Sequence, residues 1–367
     1  MYEKHNTIWG DRSRRPDAPR RSRHATPRTH GGTMIQRVLA GIKAHLIYVV
    51  LGSLAAGLAF GQVAGPETKD LLKAAVVPVL FLMIYPMMIN IDLREILNVR
   101  GHAKPVSLSL LINFLVAPLL AVGLSRLFFA GAVEYAIGLY LVALIPTSGM
   151  TAAWTGLAKG DLESALVAMA VNLLLALLIL PAYLSMLVPG NVGFDPAALY
   201  RQLAVVIVTP MVAGTLTRRL LFRRYGPESF KRMKPTFGGV SSFGVMLIVF
   251  IAMTMRSTAI LADPIASAGT VVPLVVFYAI ILAIGAGLGG ALLDAERSTA
   301  LVYATSMRNL SIAVALVVAP GFPPTEAVLP IALAYLVQPP LGAVYMHYRR
   351  DVVGTGRTVR EVIRAVI

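Results

Sequence analysis

YATSMRNLSIA, residues 303–313, lies inside a long apolar run and carries one arginine, Arg308, at its centre. The other 32 of the 33 Lys and Arg residues fall in tails, loops or helix ends, and none of the 18 Asp and Glu residues is placed comparably. A charge at the centre of a bilayer costs roughly 3 kcal/mol on insertion scales and more in simulations, so by default it marks a function. The chain around it has the composition of a membrane protein: 57% hydrophobic and 14% charged, with mean hydropathy +0.73. That reads as an all-α polytopic protein rather than a soluble domain with a large core.

Working outward from Arg308, ten segments carry the roughly 20 apolar residues a membrane helix needs. They fall near 46–64, 71–90, 106–128, 135–158, 163–188, 200–220, 237–256, 269–293, 298–319 and 327–347. Pro210 interrupts the sixth. Lys and Arg concentrate on the cytoplasmic side of membrane proteins. With both termini in the cytoplasm, 27 of the 33 Lys/Arg lie inside and only Lys69, Lys73, Arg126, Arg201 and Arg256 outside. The net charge of +15 is then explained by this asymmetry and by anionic membrane lipids, without nucleic acid.

Split into two fives, the ten segments repeat a feature. The fourth holds IPTSGMTAAW (145–154), with Pro146, Gly149 and hydroxyls at its centre, and the ninth holds YATSMRNLSIA. The fifth and tenth each carry a mid-segment proline, Pro181 in LLILPAYL (177–184) and Pro339 in YLVQPPLG (335–342), so Pro146, Pro181 and Pro339 are expected to break helices. An odd number of spans per half gives the halves opposite orientation. Interrupted segments at matching places in inverted halves point to a transporter's binding site. An unwound stretch survives in a bilayer only where it lines a wet cavity or binds something; a plain proline kink is the bland alternative. The expected organisation is a disordered basic tail over 1–44, a five-helix repeat over 45–190, an inverted one over 191–348 and a basic tail over 349–367. Met34 is a candidate start, because IQRVLAGIKAHLIYVVLG from Ile35 is an ordinary membrane entry.

Several chemistries are excluded. There is no cysteine, so thiolate catalysis, disulfides and thiolate-bound metals are out. His5, His24, His30, His45, His102 and His347 lie in tails, loops or a first helical turn, which removes a buried His-based metal site or Ser–His pair. No cofactor or metal is expected, and no enzyme.

The order and spacing of these motifs resemble the bile acid:sodium symporter superfamily over about 40–350. MIYPMMINIDLREI (83–96) is similar to the Met–Tyr–Pro stretch of that superfamily's arsenite efflux carriers. PTSGMTAAWTGLAKGD (146–161) is similar to the end of helix 4, and TSMRNLSIA (305–313) resembles the helix 9 motif Thr–Gly–Met–Gln–Asn. The resemblance implies interrupted helices 4 and 9 crossing near the midplane to hold ions and substrate. It also implies a panel of helices 1, 2, 6 and 7 moving against a core of the rest. Thr305, Ser306, Arg308 and Asn309 on one helix, and Thr147, Ser148, Gly149 and Thr151 on the other, become candidate ligands. Asn113 stands in for the symporters' helix 3 glutamine, and Asn172 lands near their sodium ligands.

The departures carry the functional reading. The arsenite carriers' helix 4 cysteine is absent, with Thr147 and Ser148 in its neighbourhood. The symporters' glutamate before the helix 9 motif is Ala304, and the motif's glutamine is Arg308. A guanidinium within about 4 Å of Na⁺ is repulsive by several kcal/mol at an effective dielectric near 20. Arg308 therefore either braces the crossing in place of sodium, or binds an anionic substrate through a bidentate fork; snorkelling to an interface is the third reading.

Asn90 and Asp92 read as end caps of the second segment, Trp154 and the methionines as packing, and the GLGG run (287–290) as close helix contact. Asp161 and Asp294 read as helix-end charges or gate partners of Arg297. The expectation is a secondary transporter in the cytoplasmic membrane moving a small anion, an organic anion or arsenic-type oxyanion, by alternating access. Sodium dependence should be weak or absent, a proton or no ion being favoured for coupling. Arsenite efflux by a thiol-free route and a sodium-coupled organic anion symporter are the alternatives within transport. A non-transporting sensor or receptor is the alternative from another class.

Overall fold

Apolar runs can bury a backbone in hydrocarbon only by closing every hydrogen bond within the segment, and the described elements are accordingly helical. The computed structural model describes residues 38–39, 41, 45–188, 195–318, 322 and 326–353. Most of the two tails expected at 1–44 and 349–367 lies outside the described residues, Met34 included.

The chain runs through α1 (Leu46–Val63), α2 (Pro66–Asn90), a short 3-10 turn (Leu93–Asn98) and α3 (Ala103–Phe128). It continues through α4 (Val133–Leu144), α5 (Met150–Leu157), α6 (Leu162–Leu187) and α7 (Pro196–Leu203). After these come α8 (Thr209–Ala262), α9 (Pro264–Gly269), α10 (Val271–Leu292), α11 (Ala295–Ser306), α12 (Leu310–Val318) and α13 (Val328–His347). Six of the described helical stretches are long and apolar enough to cross a membrane: Pro66–Asn90, Ala103–Phe128, Leu162–Leu187, Ala197–Thr258, Pro264–Leu292 and Val328–Arg350. The chain is a multi-pass all-α membrane protein.

Helix starts follow local chemistry. Asp161 caps α6 by accepting from the N–H groups of Glu163 and Ser164, and Asp294 caps α11 by accepting from Arg297 N–H. Pro66 opens α2, where its missing N–H costs nothing. The sixth and seventh sequence segments differ from expectation. They are joined by one long helical run in which only Gly226 leaves helical geometry, at φ 76°. Glycine takes that conformation without steric cost, and Pro227 restarts the helix behind it.

Pro181 and Pro339 do not break their helices, contrary to the sequence reading. Each lies inside a continuous helix, α6 and α13. A proline removes one ladder bond; unwinding further would strand more backbone groups in an apolar setting. Tyr200 Oη donates to Leu178 O, 3.0 Å, just before Pro181. Pro146 does sit in a true break: α4 ends at Leu144, and α5 begins at Met150. The matching break separates α11, ending at Ser306, from α12, beginning at Leu310.

Two groups of helices result. In one, α8 packs along α2 and α1. Gly61 permits that approach, because a Cβ there would lie 2.5 Å from Thr254 O. In the other, α11 lies against α10, α6, α3 and α5, while α13 contacts α10, α4 and α12. The site lies where the two groups meet.

Candidate functional site

At the two breaks the backbones cross as a single antiparallel bridge, Thr147 opposite Arg308. Ser148 N–H donates to Met307 O and Asn309 N–H to Pro146 O, each 2.8 Å. Groups freed by one interruption are thus satisfied by the other, as a bilayer interior requires. Gln338, from α13, holds the junction: its Oε1 accepts from Arg308 N–H at 2.8 Å and its Nε2 donates to Arg308 O at 3.1 Å. Tyr278 Oη donates to the same Oε1, 2.9 Å. Gln338 and Tyr278 were not singled out from the sequence: a neutral amide beside a Pro-Pro pair and a tyrosine in an apolar helix give no contrast with their neighbours.

The Arg308 side chain is only 1% exposed, one of the largest fully buried side chains, so it does not reach an interface. Of its five donors, Nη1 makes one long bond, 3.4 Å to Ile145 O, while Nε and Nη2 have no partner among the described residues. An unpaired buried charge is costly, by several kcal/mol. The bracing of the crossing is done by Arg308's main chain, which leaves the guanidinium available.

Arg308 forms part of the wall of a cavity of about 420 Å³ between the two helix groups. Ser148, Gly149 and Met150 contribute the start of α5, and Asn309, Leu310 and Ser311 the start of α12. The cavity therefore meets two helix N-termini, the positive ends of their dipoles. Lys231 and Lys234 of α8 also line it, with no Asp or Glu among its lining residues. Asn90, Tyr335 and Gln338 add neutral hydrogen-bonding groups. The two lysines were read as loop charges; the helical connection brings them to the cavity's edge, where both are exposed and Lys231 pairs with Glu228 Oε1 at 2.9 Å.

The remaining candidates divide. Ser148, Gly149, Arg308 and Asn309 are together on the cavity. Asn309 Nδ2 also reaches Met87 Sδ, 3.6 Å. Thr305 and Ser306 are not on the cavity wall: their hydroxyls donate back to Leu301 and Val302 carbonyls of their own helix. Thr151 donates to Tyr303 O, 3.2 Å, and braces α5 on α11. Thr147 meets Arg308 through the backbone bridge, and its own hydroxyl is buried without a partner.

Asn113 and Asn172 form a separate buried cluster. Asn113 lies in a π-helical stretch of α3 (Ile112–Val116) and donates to Asn172 Oδ1, 2.7 Å, and to Ala304 O, 3.0 Å. Asn172 donates to Ser109 Oγ, 3.0 Å, and Ala168 O, 2.7 Å. The bond between the two amides runs one way, and Asn113 Oδ1 is buried without a partner among the described residues.

Asp92 is more than a cap: it receives Arg94 N–H and pairs with Arg218 Nη2 at 2.5 Å, tying α2 to α8. Arg297 Nε lies 3.7 Å from both Asp161 and Asp294, so those caps also share a cation. Trp154 stacks on Tyr303.

A buried, cation-lined cavity at the crossing of two broken helices is the constitution of a membrane carrier. The model of the Sodium Bile acid symporter family matches residues 77–263, half of the chain, and the chain belongs to that family. It is a secondary transporter and not an enzyme. The Arsenical-resistance protein Acr3 of Alkaliphilus metalliredigens is 30% identical over 264 residues, covering 66% of this chain and 73% of that protein. The Arsenical-resistance protein Acr3 of Corynebacterium glutamicum is 22% identical over 251 residues, 64% of this chain and 67% of its own. A probable sodium/metabolite cotransporter of Arabidopsis thaliana, BASS4, chloroplastic, is 29% identical over 227 residues, 56% of this chain and 50% of its own.

Proposed function

We propose that the chain carries a small anion, an organic acid or an arsenic-type oxyanion, across the cell membrane by alternating access, with weak or no sodium dependence. The observation that carries this reading is Arg308 itself: it is a lining residue of the cavity, and its buried guanidinium leaves Nε and Nη2 unpartnered among the described residues. Two adjacent donors on one planar group suit the two oxygens of a carboxylate or oxyanion. The helix starts at α5 and α12 and the Lys234 ammonium have the same electrostatic preference.

The architecture that goes with it is ten crossings in two inverted fives, 45–190 and 191–348. In this reading α4 with α5, and α11 with α12, are each one interrupted crossing, and the run through α8 supplies two. The group of α1, α2 and α8 moves against the rest. The Lys/Arg asymmetry supports placing both termini in the cytoplasm, which turns the Lys231–Lys234 end of the cavity inward. Arg308 repels sodium, and the neighbouring position is Ala304 rather than a carboxylate, so a proton or no ion couples transport.

A second reading, arsenite efflux without a thiol, is favoured by the arsenical-resistance names of two relatives. A thermal-shift screen of the purified protein, with carboxylates, phosphate, arsenate and arsenite in sodium and in choline buffers, separates them. A ligand at about 100 times its Kd stabilises by about 2.7 kcal/mol. Shifts from anions, equal in both buffers, support the first reading. Shifts from neutral arsenite alone replace it with the second, and shifts only in sodium refute the coupling assignment.

A further inference from the structure

A second basic cavity lies outside the carrier site, beyond Ile91, the one lining residue the two share. Its volume is about 530 Å³, and Asp92, Arg94, Arg218, Arg219 and Arg223 supply its charges. The chain connects them simply: Asp92 and Arg94 follow the end of α2, while Arg219 and Arg223 are one turn apart on α8.

Asp92 does not neutralise this set. Its Oδ2 is taken by Arg218 Nη2 and its Oδ1 by Arg94 N–H. Arg218 is further fixed over the rings of Phe222 and Phe230, 5.0 Å from each centroid. Arg94, Arg219 and Arg223 make no ion pair among the described residues. Three cations around one cavity with no counter-charge of their own among the described residues repel one another, and an anion of matching size relieves that cost. Arginine forks match phosphate oxygens.

The surroundings choose between kinds of phosphate. Leu97, Leu216 and Leu220, next to these arginines in sequence, are exposed. A soluble anion has no use for apolar surface beside its site; an acyl chain does. Basic pockets between membrane helices on the cytoplasmic side hold anionic headgroups.

We propose that this cavity binds the phosphodiester headgroup of an anionic phospholipid, with Arg94, Arg219 and Arg223 on the phosphate and acyl chains along Leu97, Leu216 and Leu220. The lipid would join α2 to α8 within the group of helices that moves.

The test uses the full chain in detergent, titrated with phosphatidylglycerol, phosphatidylcholine or inorganic phosphate while the melting temperature is followed. Phosphatidylglycerol should raise it in the wild type, and phosphatidylcholine should not. Arg94→Gln, Arg219→Gln and Arg223→Gln combined should weaken the phosphatidylglycerol response roughly 100-fold, the loss expected for three charges at a lipid surface. Those residues are exposed, so the triple variant should keep its lipid-free melting temperature. If it does not, each single substitution should still weaken the response several-fold. An undiminished phosphatidylglycerol response in the variants overturns the assignment. So does an equal response to inorganic phosphate in the wild type, which would make the site one for soluble anions.

Discussion

Replacing Gln338 with leucine should cost about 2–3 kcal/mol of stability. Gln338 accepts from Arg308 N–H and Tyr278 Oη and donates to Arg308 O. Each net hydrogen bond is worth about 1 kcal/mol in soluble proteins, and nearer 0.6 between membrane helices. The Arg308 N–H and C=O retain short-range bonds to Ser306 O and Leu310 N–H, each 3.1 Å, so the full penalty for orphaned groups does not apply. Tyr278 Oη does lose its acceptor. Unfolding in detergent measures the total, and anion titration reads its effect on the site, where affinity should fall about tenfold as the Arg308 backbone loosens. Tyr278→Phe shares the same partner, so adding it to Gln338→Leu should cost less than the sum of the two. Gln338→Glu keeps the acceptor but, ionised, turns an oxygen toward Arg308 O where Nε2 donated, so it should lower stability as well as abolish anion binding. A Gln338→Leu protein within about 0.5 kcal/mol of wild type, with unchanged affinity, would refute the clamp; exposed substitutions commonly cost no more than that.

Gly149 lines the cavity at φ −60°, and a Cβ there meets nothing within 4 Å. Gly149→Ala should fold normally and Gly149→Leu should occlude the site, lowering affinity at least tenfold without lowering the melting temperature; a melting loss in both would show that the position is packed. Uptake into vesicles should differ less than about twofold between sodium and choline, where sodium coupling would give tenfold or more. Partial burial raises the Asp161 carboxyl, but the hydroxyl and N–H of Ser164, with His102, more than offset it and hold it below 3.8. Its contribution is therefore present above that value and lost as pH falls through the lowered one. The stability gap between wild type and Asp161→Ala should persist at neutral pH and close in acid; a gap that widens in acid has the wrong sign.

What was legible in the sequence was contrast. Arg308 is a lone charge in an apolar run, and Pro146 with Gly149 concentrates helix-breaking residues, so both interruptions fall where those residues stand. Pro181 and the Pro339–Pro340 pair carry the same signal without the break, because each proline removes only its own ladder bond and no second helix lends an unwound stretch backbone partners. Thr305 and Ser306 share the motif of Arg308, yet helical rotation turns them away and their hydroxyls bond their own turn. Lys231 and Lys234 were hidden for the opposite reason. They read as loop charges until the helical run through α8 brought them to the cavity. The Asn113–Asn172 pair could be found as two polar residues, but only the packing of α3 on α6 shows that one bonds the other.

The most direct measurement is anion affinity of Arg308→Gln and Arg308→Lys, each with its melting temperature. Removal of a ligand fork should lose the affinity, by 100-fold or more for glutamine, because a charge-assisted pair contributes about 1.5–3 kcal/mol and a buried one more. The melting temperature should hold or rise, since an unpaired buried charge is removed. Lysine should keep part of the affinity, having the charge without the planar fork. Unchanged affinity in the glutamine variant, or a protein destabilised by several kcal/mol with affinity intact, would make Arg308 a structural residue and contradict the anion site.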